Sequence, residues 1–76
     1  MSQSEMVRTF LAEFLRRDVT TITDDARLMQ DLGLDSMRTV ELLYELEERF
    51  DVEIADEDLR RFETVADVVA YVDTRR

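Results

Sequence analysis

Seventy-six residues with a formal net charge of −9 and no cysteine, histidine or proline leave room for one small folded domain, here taken as residues 1–76, whose core is thin. The missing cysteine and histidine remove disulfides, the usual soft metal sites, thiol nucleophiles and imidazole bases, so stand-alone catalysis is not expected. The negative charge argues against nucleic acid and anionic membranes as partners, and the absence of a long apolar run or a basic leader in the first five residues predicts a cytoplasmic protein, expected as a monomer.

In residues 4–17, Met6, Val7, Phe10, Leu11, Phe14 and Leu15 recur at three- and four-residue steps along one helical stripe. Ser2 or Ser4 is placed to cap its start, and Arg16 and Arg17 stand where the carbonyl end of the helix dipole favours positive charge. Residues 18–34 lose that period and are rich in Thr and Asp, which favour turns. A connection this long has to be pinned down or functional. Val19, Ile22, Leu28 and Leu32 are the expected anchors, and Asp24-Asp25 is a candidate start for a short turn of helix.

Residues 36–50 contain neither Gly nor Pro and are dominated by Leu, Glu, Met and Arg, which predicts a second helix. At 100° per residue, Thr39, Leu42, Leu43, Leu46 and Phe50 share one side, while Met37, Val40 and Tyr44 fall on another flank. Asp56 is a candidate cap for a short third helix with Leu59 and Phe62 inward. Thr64 with Asp67 forms a variant capping box ahead of Val65, Val68, Val69 and Val72, the stripe of a last helix. The expected fold is all-α, a small bundle of three main helices plus a short third one.

The charge is local. Residues 31–58 hold eleven acids against two bases, a difference of −9 that equals the net charge of the whole chain. Glu41, Glu47 and Glu48 border the apolar flank of Met37, Val40 and Tyr44, making a greasy centre with a negative rim. A solvated helix face is the plain alternative, but the arrangement suits brief docking on basic partners, where complementary charge raises the encounter rate.

Ser36, flanked by Asp35 and preceded by the only glycine, Gly33, is the candidate functional residue. As a nucleophile it lacks any His or Lys base and a G-x-S-x-G elbow. As a helix cap it is sensible, although Asp35 serves equally. As the acceptor of a phosphodiester it is also well placed, at the positive end of a helix dipole, and a cap and an acceptor are compatible roles.

Asp31-Leu32-Gly33 followed by Asp35-Ser36, then Val40-Glu41-Leu42, Leu46-Glu47-Glu48, Phe50-Asp51, Glu53-Ile54, Asp56-Glu57 and Thr64-Val65 with Tyr71 resembles the acyl carrier protein family in order and spacing over nearly the whole chain. The resemblance implies an acyl-carrier-like four-helix bundle in which Ser36 receives 4′-phosphopantetheine from coenzyme A through a phosphopantetheinyl transferase. The thiol of that arm would hold acyl or aminoacyl groups as thioesters. Asp35 matches the acid beside the modified serine, and Met37, Val40, Glu41, Tyr44, Glu47 and Glu48 match docking positions.

The implied partners are acyltransferases, ligases or synthases with basic docking patches. Three departures stand out: Met37 where the family more often has leucine, Arg38 where acidic carriers often have a negative charge, and the bulk of Tyr44. With Arg38 counted in the docking flank, they favour a discrete carrier of a specialised bacterial pathway, polyketide or other natural product. General fatty-acid and D-alanyl-type carriers are the alternatives, and an unmodified acidic interaction module is the alternative of another class.

Overall fold

The computed structural model describes residues 2–75, so Met1 and Arg76, the ends of the expected domain, lie outside it. The described residues form α1 (Gln3–Leu15), a 3₁₀ turn (Val19–Thr21), α2 (Ser36–Phe50), a 3₁₀ helix (Asp56–Arg61) and α3 (Val65–Arg75), with no strand among them. No helix among them is long and apolar enough to cross a membrane.

Helix α1 starts at a full capping box. The Ser2 hydroxyl accepts the Glu5 amide at 3.1 Å, and the Glu5 carboxylate takes the Ser2 amide at 3.1 Å. These bonds from the Ser2 amide and hydroxyl hold the Glu5 carboxyl below its usual range. Val7, Phe10 and Leu11 are buried as the stripe requires, joined by Ala12, whereas Met6 lies exposed at the edge and is not a core residue. Arg16 ends the helix in the left-handed region, φ 55°, with its amide on the Ala12 and Glu13 carbonyls.

The long connection is pinned by Ile22, Leu28 and Leu32, with Ala26 and Leu34 buried beside them. Val19 is not an anchor: it is 46% exposed in the 3₁₀ turn, where Asp18 accepts the Thr20 amide at 2.9 Å and is held below the usual carboxylate range by the Thr20 amide and hydroxyl. The short helical turn therefore sits at Val19–Thr21 and not at Asp24-Asp25, which make a plain turn. Arg8 holds that region, donating to the Ile22 carbonyl at 3.0 Å and pairing with Asp24.

The connection also closes the start of α3. The Val65 and Ala66 amides donate to the Ala26 and Asp24 carbonyls, both at 3.0 Å, and Leu28 donates to Glu63 at 2.8 Å. Orphan donors of a helix terminus are thus met by loop carbonyls. Thr64 and Asp67 cap α3 as the spacing predicts, with the Asp67 carboxylate accepting the Thr64 amide at 2.9 Å. Val65, Val68 and Val72 are fully buried and Val69 is packed against the core.

The short third helix is a 3₁₀ helix. Asp56 opens it without capping it: Ala55 stands at the cap position and makes no side-chain bond. Phe62 is buried and Leu59 partly so. The buried polar residue here is Asp58, 7% exposed, whose Oδ2 lies 2.9 Å from the Tyr71 phenol oxygen. That contact ties the segment after α2 to α3.

Candidate functional site

Helix α2 spans the predicted range, and its first turn decides what Ser36 is free to do. Asp35, extended at φ −97° and ψ −178°, is the cap. Its Oδ1 accepts the Arg38 amide at 2.7 Å, and its carbonyl accepts both the Thr39 amide at 2.9 Å and the Thr39 hydroxyl at 2.7 Å. With capping taken by Asp35, the Ser36 side chain is exposed and its hydroxyl makes no hydrogen bond to another described residue. The Ser36 and Met37 amides likewise keep free donors at the positive end of the helix, where a phosphodiester on Ser36 would be met favourably. The donor set fits a 4′-phosphopantetheine arm.

The corner is presented by a tightly turned loop. Arg27 and Asp31 close it: the Asp31 carboxylate accepts the Arg27 amide at 2.8 Å and its guanidinium Nε at 3.1 Å. The Arg27 guanidinium, then its amide, hold the Asp31 carboxyl below its usual range. Gly33 follows at φ +75°, with buried Leu32 and Leu34 on either side of it. A positive φ between two anchored leucines turns the chain outward just before Asp35.

Along α2, Leu42, Leu43, Leu46 and Phe50 face the core, as predicted, and Thr39 is partly covered. On the opposite side Met37 is 78%, Val40 38% and Tyr44 65% exposed. Their spacing of three and four residues makes one continuous apolar stripe. Glu41 and Glu48 are exposed beside it. Glu47 is half-buried, its Oε2 accepting the Ile54 amide at 2.7 Å, so its carboxylate also braces the following loop.

Arg38 lies on a different flank. Its guanidinium stacks 4.1 Å from the centre of the Phe14 ring, donates to the Phe14 carbonyl at 3.2 Å and pairs with Glu41 at 3.2 Å. Residue pattern alone misses this engagement, because its partner is contributed by α1. The buried Asp58 is missed for the same reason, its phenol partner being thirteen residues away.

A family model described as the phosphopantetheine attachment site matches residues 5–72. An acyl carrier protein from Akkermansia muciniphila is 43% identical over 72 residues, covering 95% of this chain and 90% of the relative. One from an Exiguobacterium species is 44% identical over 69 residues, covering 91% and 87%. Among solved structures, a provisionally named acyl carrier protein from Mycobacterium tuberculosis superposes with a TM-score of 0.87 at 34% identity, covering 96% of this chain and 97% of that one.

Proposed function

The chain belongs to the acyl carrier protein family, and from that premise we propose that Ser36 is the residue to which its 4′-phosphopantetheine arm is attached. It is a carrier and not an enzyme, and as such it works with a phosphopantetheinyl transferase and with synthesis enzymes. The observation that carries the assignment is the division of labour in the first turn of α2. Asp35 caps the helix, which leaves the adjacent Ser36 hydroxyl exposed and unengaged. The bound arm supplies the thiol that the sequence lacks, so cargo rides as a thioester without a competing protein thiol.

Docking falls to the flank that Ser36 begins. Met37, Val40 and Tyr44 offer the apolar centre, Glu41, Glu47 and Glu48 the acidic rim, and Arg38 its edge against α1. Weak, fast, charge-guided contact suits a component that must leave each enzyme it visits. The cargo pathway is a specialised bacterial one, polyketide or other natural-product assembly. The reading is supported by the basic residue Arg38 in the first turn of α2 and by the exposed side chain of Tyr44 on the docking flank. Support of full acyl-chain elongation by fatty-acid synthesis enzymes at the rate of a dedicated fatty-acid carrier would overturn that pathway assignment.

The attachment itself is tested by incubating apo protein with a promiscuous phosphopantetheinyl transferase, coenzyme A and magnesium, followed by intact mass measurement. Wild type is expected to gain one phosphopantetheine and Ser36→Ala none. An unmodified wild type, or equal addition to Ser36→Ala, refutes the assignment.

A further inference from the structure

Helix α1 packs closely against α3, whereas α2 is tied to α1 by long side chains. Two arginines on one flank of α2, about three helical turns apart, reach to the two phenylalanines of α1. Near the start, Arg38 stacks 4.1 Å from the Phe14 ring centre; near the end, Arg49 lies 5.3 Å from the Phe10 ring centre and pairs with Glu13 at 3.5 Å. Phe10 and Phe14 are themselves in contact, ring centres 6.1 Å apart, and Phe10 meets Phe50 edge-on at 5.9 Å. The result is an aromatic seat with a guanidinium laid over each half.

We propose that these two arginines are straps that set the bearing of α2 on the bundle, and that Arg38, through its hold on Phe14, is a positioning residue for Ser36. The inference rests on Ser36 as the attachment point. Arg38 stands two residues after that serine in the first turn of α2, its own amide belongs to the Asp35 cap, and its side chain binds the backbone of another helix. A guanidinium does this with a flat face for the ring and a directional fork for the Phe14 carbonyl and Glu41. An ammonium of the same charge has neither, so the strap depends on the shape of the group as well as its sign. Charge presented to a partner and shape presented to Phe14 therefore make opposite predictions for lysine.

The test compares Arg38→Lys, Arg38→Met and Phe14→Leu with wild type. The first readout is amide hydrogen exchange at Arg38 and Thr39 in the apo protein, the two amides held by Asp35. All three variants are expected to exchange faster there by about threefold or more while the centre of α2 stays protected. The second readout is arm transfer from coenzyme A by the same transferase. The variants are expected to lower kcat by about three- to tenfold, with KM within about twofold, as for a misaligned acceptor. Arg38→Lys resembling wild type while Arg38→Met raises KM would mean that the transferase reads the charge, and would overturn the proposal. Unchanged exchange in all three would overturn it as well. If wild type accepts no arm, the attachment assignment fails, and the exchange data still decide whether the straps exist.

Discussion

Gly33 and Ser36 divide the task at the corner between them: one bends the backbone, the other projects from it. A Cβ built on Gly33 meets nothing within 4 Å, so any cost of a side chain there comes from its φ of +75° alone. Gly33→Ala is expected to destabilise the fold by about 1 kcal/mol, the left-handed penalty less the entropy lost by the unfolded chain. In a domain of this size that lowers Tm by about 4–8 °C. A D-alanine introduced at the same position by chemical synthesis should not lower Tm at all, and thermal melts of the two proteins separate backbone strain from crowding. Ser36 was legible from its company of acids and glycine. Its freedom was not, because Ser and Asp are equally good caps, and only the 2.7 Å bond from the Arg38 amide to Asp35 shows which one caps.

At the scale of elements, α1 and α2 both end on a left-handed residue that is not glycine, Arg16 at φ 55° and Asp51 at φ 53°. Glycine is the usual occupant of such an end. Asp51→Gly is expected to be more stable than Asp51→Ala by about 1 kcal/mol, since both lose the same charge and differ only in left-handed tolerance. Denaturant titration of the pair measures it, and an equal midpoint would refute it. Helix α2 was legible to its boundaries because fifteen residues carry a sustained period with good helix formers. The short elements were less so. Val19 and Asp56 have the right residue types for an anchor and a cap, but in a 3₁₀ turn side chains repeat every third residue, and which of them is covered depends on distant partners. Asp58 is covered because the Tyr71 phenol meets it, and Val19 is exposed because nothing comparable reaches it.

At the scale of the molecule, three carboxyls among the described residues are held below their ordinary range by hydrogen bonds: Glu5 at the start of α1, Asp18 at the 3₁₀ turn and Asp31 before the Ser36 corner. Each binds its proton less readily folded than unfolded. Its contribution is therefore complete above the unfolded carboxyl range, near about pH 4, and is lost as pH falls through the lowered folded values. Thermal melts should show stability declining below about pH 4, with Asp31→Asn less stable than wild type at neutral pH and the gap closing in acid. A gap that stays constant to low pH would mean that the Arg27–Asp31 closure contributes nothing through ionisation.

The two tyrosines, in a chain without tryptophan, occupy opposite situations. Tyr44 is 65% exposed on the outer stripe of α2, while the Tyr71 ring lies 5.1 Å from that of Phe62 with its phenol on Asp58. The protein thus carries a matched pair of native optical probes. A carboxylate hydrogen-bonded to a phenol quenches its emission, so unfolding should brighten Tyr71, whereas engagement of the outer stripe should change Tyr44 first. Tyr44→Phe and Tyr71→Phe would each silence one channel, so that unlabelled fluorescence can time an encounter with a tryptophan-free partner separately from the opening of the fold.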